Sequence, residues 1–258
     1  MTLPDLAPAA WLLLAVAAML VGVSKTAIPG INTLSIAAFA AVLPARSSTG
    51  ALLILLLLGD AFALLSYRKY AHWPTLLRLI PAVVTGLALG ALFLALADDT
   101  WVRRVIGVIL LFVVAFTLWQ RARRAASPPQ LPVGDGAVPQ SGRLAAGGYG
   151  TLGGFTTMVA NAGGPVMSMY FLAARFPVHA FLGTAAWFFA VINLAKLPIS
   201  IGLGLITPEL LSLDLLLAPG VILGAILGRW IAARIKQRAF DWAVTVCTIL
   251  GACYLLIA

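Results

Sequence analysis

Apolar residues fill the chain in runs at roughly 9–28, 31–43, 49–66, 77–97, 101–119, 144–160, 165–174, 180–201, 210–228 and 240–257. Eight of these runs approach the roughly 20 residues that a bilayer crossing needs. The other two, 31–43 and 165–174, are too short to cross, and each directly follows an interruption. The first interruption is SKTAIPGIN, Ser24 to Asn32, set within about 35 otherwise apolar residues from Ala9 to Leu43. The second is TTMVANAGGP, Thr156 to Pro165. Pro29 withholds a backbone donor and Gly30 relaxes the helix, so the chain should break there. Freed backbone groups survive at membrane depth only when buried in protein or lining a cavity. The pattern therefore predicts two broken helices, each followed by a short helix returning from the break, with both breaks contributing to one site.

Helix starts are marked by polar residues. Ser47-Ser48-Thr49 is expected to cap the third run, Asp98-Asp99-Thr100 the run opening at Trp101, and Thr207-Pro208-Glu209 the run near 210. Residues 121–143 differ from the rest: four arginines, four prolines and several Gly and Ser, with no apolar period. This segment is expected to be a linker between a first repeat, 1–120, and a second, 144–258. At an offset of 133, Gly30 meets Gly163, Ser35 meets Ser168, Pro44 meets Pro177, Gly50 meets Gly183 and Asp60 meets Asn193. With one residue more, Gly86, Gly90 and Arg104 meet Gly220, Gly224 and Arg238.

Composition places the chain in a membrane. Of 258 residues, 62% are hydrophobic and 10% charged, with mean hydropathy +1.05, against about 25% charged in a soluble domain. The net charge of +9 does not point to nucleic acid, because the basic residues lie in short loops between apolar runs. With the linker in the cytoplasm, the inside loops hold Arg68, Lys69, Arg78, Arg121, Arg123, Arg124, Arg143, Arg175, Arg229, Arg234, Lys236 and Arg238. The outside loops hold only Arg46, Arg103 and Arg104. That asymmetry follows the positive-inside rule and puts both termini outside the cell membrane. Each repeat then has five segments, an odd number, so the second is inverted relative to the first. The expected fold is an all-α integral membrane protein of eight long helices and two half-helices. Inverted repeats with broken helices meeting near the midplane are the architecture of many secondary transporters. No basic n-region precedes the first apolar run, so that run is expected to stay as a helix. Cys247 and Cys253 lie six residues apart in the last run and read as small core residues.

Lys25 and Lys196 carry the sharpest chemistry. A lysine in hydrocarbon is expensive unless paired or hydrated, and the plainer alternative is that each snorkels to an interface. Asn193 precedes Lys196 by three residues and shares its helix face, with Pro198 bending the helix just beyond. Asp60 is taken as the only acidic residue within a predicted span, either a fixed partner for a lysine or a proton-coupling group. Asp214, near the outer end of its run, is expected to be reachable from outside. Gly30-Ile31-Asn32 and Gly163-Gly164-Pro165 each open a half-helix, whose N-terminus offers free N–H groups and partial positive charge. Thr26, Asn32 and Asn161 add possible donors. Together these residues describe an anion site. Gly86, Gly90, Gly220, Gly224 and Gly228 follow the four-residue spacing of helix packing. Trp187, Phe188 and Phe189 read as packing, and Trp73, Trp101 and Trp119 as an interface belt. His72 and His179 lack metal-ligand partners. The chain contains no phosphate-binding GKS/T loop, no HExxH and no plausible triad, and no cofactor is expected.

GVSKTAIPGIN, SSTG at 47–50, GD at 59–60 and YRKY at 67–70 resemble the first half of the sulfite exporter TauE/SafE family. VANAGGPVMSMYFL at 159–172, FLGTAAWFFAVIN at 181–193 and KLPI at 196–199 resemble its second half. The resemblance implies a membrane permease for small anions such as sulfite, thiosulfate or sulfonates. The sequence thus predicts a secondary transporter of a sulfur oxyanion, organosulfonate or carboxylate. Lys25, Thr26, Gly30, Asn32, Asn161, Gly163, Gly164, Asn193 and Lys196 would bind the anion, and Asp60 would couple it to protons. A membrane-embedded enzyme or a scaffold subunit is the alternative.

Overall fold

The structure is a computed structural model. It describes residues 6–102, 143–174 and 176–236, with scattered positions in 104–119 and 239–246. Among the described residues all regular structure is helical. Among the described residues, the α-helices with both ends defined are α1 Pro8–Thr26, α2 Asn32–Val42, α3 Ala45–Tyr67, α4 Trp73–Leu96, α5 Arg143–Ala160, α6 Gly163–Ala173, α7 Val178–Gly202 and α8 Pro208–Ala232. A 3-10 turn, Pro29–Ile31, joins α1 to α2.

Five of these helices, α1, α3, α4, α7 and α8, are long and apolar enough to cross a membrane. At about 1.5 Å per residue, the 25-residue α7 and α8 reach roughly 37 Å, beyond the ~30 Å hydrocarbon core. The glycine-rich α5 has 18 residues and does not join the five. The predicted linker and the runs at 101–119 and 240–257, with both cysteines, lie wholly or largely outside the described residues.

Both predicted breaks are present. α1 ends at Thr26, the chain turns through Ala27 and Ile28, and α2 departs after Pro29. α5 ends at Ala160 and α6 begins at Gly163, with Asn161 between them at φ 54°. A non-glycine residue in this left-handed region is uncommon, and asparagine is among the few that tolerate it. Here it forms a helix cap, its N–H reaching Thr157 O at 3.1 Å.

Two helix starts follow the expectation. Thr207 Oγ1 accepts from Leu210 N at 3.4 Å, with Pro208 in the first turn, and Asp98 Oδ1 accepts from Trp101 N at 2.8 Å. The third differs. Pro44, fixed in an extended conformation, starts α3 at Ala45 with no side-chain cap. Ser48 and Thr49 therefore lie inside the helix and donate back to Ala45 O at 2.8 and 3.1 Å. The N–H groups of Ala45 and Arg46 turn instead to the Asp99 carboxylate, at 3.4 and 3.0 Å.

α1 packs along α8 and α4 along α5, both pairs parallel and both through glycines. A Cβ on Gly224 would run into the Met19 carbonyl, and one on Gly86 into the Thr151 carbonyl. Glycine is required there because backbones touch. α3 and α7 pack antiparallel between these pairs, with Asp60 meeting Asn193 and Tyr67 meeting Gly183.

Candidate functional site

The end of α1 leaves carbonyls without helical partners, and side chains from within the protein take them up. Tyr67 Oη donates to Thr26 O at 2.8 Å, and Ser24 Oγ reaches across the break to Pro29 O at 3.1 Å. Asn32 N and Ile31 N are spent within the 3-10 turn. The N-terminus of α2 is therefore less open than a bare helix start. Beside it, Gly164 approaches closely enough that a Cβ there would lie 3.4 Å from Pro29 O. The two breaks meet at this point.

Lys25, one residue before the end of α1, stretches across to α3. Its Nζ lies 2.6 Å from Asp60 Oδ1 and 4.6 Å from the centroid of the Phe189 ring. The other carboxylate oxygen, Asp60 Oδ2, accepts from Asn193 Nδ2 of α7 at 2.6 Å. The side chains are buried, at 9% and 2% exposure for Lys25 and Asp60. One carboxylate thus ties three helices together. Lys196, fully buried one turn beyond Asn193, donates to Thr157 O and Asn161 Oδ1, both at 2.6 Å. Its cation sits at the carboxyl end of α5, where the helix carries partial negative charge. Asn161 in turn donates Nδ2 to Thr49 O at 2.9 Å, and Asn32 Nδ2 donates to Asn161 O at 3.2 Å.

These groups line a cavity of about 20 Å³. That is room for about one water, well short of a sulfur oxyanion. Lys25, Asn32, Asp60, Asn161, Gly164 and Asn193 all line it. Lys196 does not line it but is bonded to Thr157 and Asn161, which do. Three predicted residues point elsewhere. Thr26 Oγ1 donates to Gly22 O and Ala225 O, both at 3.0 Å, because its side chain faces the α1–α8 seam. Gly30 offers its carbonyl to Thr33 Oγ1 at 2.8 Å, and Gly163 is wedged against Thr157.

Sequence reasoning passed over Ser24, Thr157 and Phe189, which also line the cavity. The first two stand inside the interruption motifs, so their polarity at membrane depth was the available signal. Phe189 corrects the packing assignment: it turns toward Lys25, whereas Trp187 and Phe188 line a separate apolar groove against α4. Asp214 corrects a second expectation. It is 2% exposed, and neither carboxylate oxygen has a hydrogen-bond partner among the described residues.

Long apolar helices, two helix breaks that meet, and buried charge gathered at them define a multi-pass membrane transport protein. The family model described as Sulfite exporter TauE/SafE matches residues 14–255, nearly the whole chain. The chain belongs to this family, whose members carry small anions across membranes and are not enzymes. No match was found among curated proteins or among solved structures.

Proposed function

We propose that this chain is a secondary transporter moving a sulfur oxyanion, an organosulfonate or a carboxylate across the cell membrane by alternating access. The observation that carries the site assignment is the Lys25–Asp60–Asn193 chain at the point where the breaks meet. In the closed arrangement Asp60 is the counter-ion of Lys25. An entering anion competes with that carboxylate for the same cation. A proton on Asp60 would cancel its charge and release Lys25 to the anion, so that anion and proton travel together. Asn32, Asn161, Asn193 and the Gly164 backbone would complete the binding surface. Lys196 would act from behind it, holding Asn161 in place and adding positive potential. Gly30 and Gly163 would shape the two breaks.

An inverted repeat would support alternating access. Asp60 and Asn193, equivalent by the 133-residue offset, touch each other, as residues on a two-fold axis would. The contact of Gly86 with Thr151 is repeated by that of Gly220 with Ala18, which the same correspondence relates. Since the cavity admits about one water, the repeats must part to admit the anion. The positive-charge count supports a linker in the cytoplasm and both termini outside.

The proposal is tested by thermal unfolding of the purified protein with sulfite, thiosulfate, sulfonates, phosphate and carboxylates. A bound anion raises the transition temperature by mass action, by ~2.7 kcal/mol of stability at a hundredfold excess over Kd. A wild-type protein that no anion stabilises, with the Lys25→Met variant indistinguishable from it, would contradict the proposal.

A further inference from the structure

Two residues that line the cavity each carry a buried amide oxygen that the described residues leave unsatisfied. Asn193 gives its Nδ2 to Asp60 Oδ2 at 2.6 Å, and Asn32 gives its Nδ2 to Asn161 O at 3.2 Å. With Asp60 ionised, these partners fix which end of each amide is which, because a flipped amide would set oxygen against oxygen. The carbonyl oxygens are left over: Oδ1 of Asn32 and Oδ1 of Asn193 are buried without a partner among the described residues. Both residues line the cavity, at 5% and 1% exposure. A buried acceptor without a donor is costly, and only a donor can relieve it. A fully deprotonated, donorless oxyanion offers none and adds lone pairs beside those already there. Lys25 supplies the positive charge that any anion would seek, whereas these two oxygens ask for a hydrogen.

We propose that the anion this site takes carries its own hydrogen-bond donor: a hydroxylated or singly protonated oxyanion, whose O–H is received by Asn32 or Asn193 while its negative oxygens face Lys25. The inference rests on the reading of this cavity as the anion's site. It adds a selection rule to it: charge admits the anion and the amide oxygens discriminate on its donor. A site that hydrogen-bonds a substrate hydroxyl rejects the analogue lacking it far more strongly than an apolar pocket rejects an added group. Water is the rival donor, since one molecule fits the closed cavity and would satisfy the same oxygens.

Two matched pairs of anions separate these outcomes: hydroxyacetate against propionate, and 2-hydroxyethanesulfonate against propanesulfonate. Within each pair charge and size are nearly equal, and a hydroxyl replaces a methyl. Affinities are measured by titration calorimetry at one pH on the full chain in lipid nanodiscs, with sulfite as a further ligand. The hydroxylated member should bind at least tenfold more tightly, and the ratio should fall toward one in Asn32→Leu or Asn193→Leu. The wild-type ratio decides the matter alone if neither variant folds. Equal affinities within both pairs overturn the inference, with water as the partner of the amides, and leave the anion site standing. Absence of binding by all five anions overturns that reading as well.

Discussion

Replacing Lys25 by methionine keeps most of the side-chain length but removes the cation 2.6 Å from Asp60. From sequence alone this change would be an inexpensive way to probe anion affinity, since an apolar residue suits a membrane span. The structure alters that expectation. Asp60 would keep only the Asn193 amide as a partner, within surroundings that leave its side chain 2% exposed. Removing one member of a buried ion pair costs about 3–5 kcal/mol, because the other charge is left uncompensated. Lys25→Met should therefore lose stability on that scale as well as anion affinity. The double variant Lys25→Met/Asp60→Asn removes both charges and keeps a polar side chain beside Asn193, so most of the lost stability should return. Anion binding should not return, because the cation is still missing. The assay is thermal unfolding of wild type, both single variants and the double variant, followed by anion titration of those that fold. A Lys25→Met protein as stable as wild type, or a double variant no more stable than Lys25→Met, would refute the argument that the pair is a mutual charge compensation. Recovery of anion binding in the double variant would separate Lys25 from the anion.

Lys196→Met strips a donor from Asn161 Oδ1 and from Thr157 O, which keeps the Asn161 N–H, and the one buried acceptor left unpaired costs about 1–3 kcal/mol, a loss read by the same unfolding assay. Asp214→Leu goes the other way: it removes a buried carboxyl without hydrogen-bond partners among the described residues, so stability should rise by about 1–3 kcal/mol, and an unchanged or lower transition temperature would reveal a partner or role for that carboxyl. Cysteines at exposed Lys69 and Glu209, introduced after Cys247 and Cys253 are replaced, should be labelled by an impermeant thiol reagent from opposite sides of the membrane. Labelling of both from one side would contradict the inverted arrangement.

The breaks were legible because they violate a strong local rule. Lysine, proline and glycine within hydrocarbon-length apolar runs have few explanations, and SKTAIPGIN and TTMVANAGGP do end one helix and begin another. The offset of 133 also makes Asp60 and Asn193 equivalent positions, and the two touch. What stayed hidden depends on how each helix is rotated about its axis. Trp187, Phe188 and Phe189 are consecutive, about 100° apart around the helix, and an almost uniformly apolar helix gives no moment to say which one faces inward. Only Phe189 meets Lys25. Thr26, next to Lys25, turns by the same angle into the α8 seam. Lys196 lies closer to a helix end in sequence, yet it is the more deeply buried lysine. Its acceptors come from the far side of the second break, a long-range pairing that local pattern does not encode. Asp214 was misplaced for a related reason: distance from a run's end predicts depth but not which neighbour covers the side chain.

The central claim is that the Lys25–Asp60 pair exchanges its internal counter-charge for a transported anion when Asp60 takes a proton. It is tested most directly by sulfite flux into proteoliposomes across a series of imposed pH gradients, in wild type and Asp60→Asn, with binding measured on the same preparations. Asn imitates the protonated carboxyl. The account predicts that wild-type flux follows the proton gradient, and that Asp60→Asn still binds anion but moves it with no dependence on that gradient. A folded Asp60→Asn protein whose flux keeps the full pH dependence of wild type would contradict it.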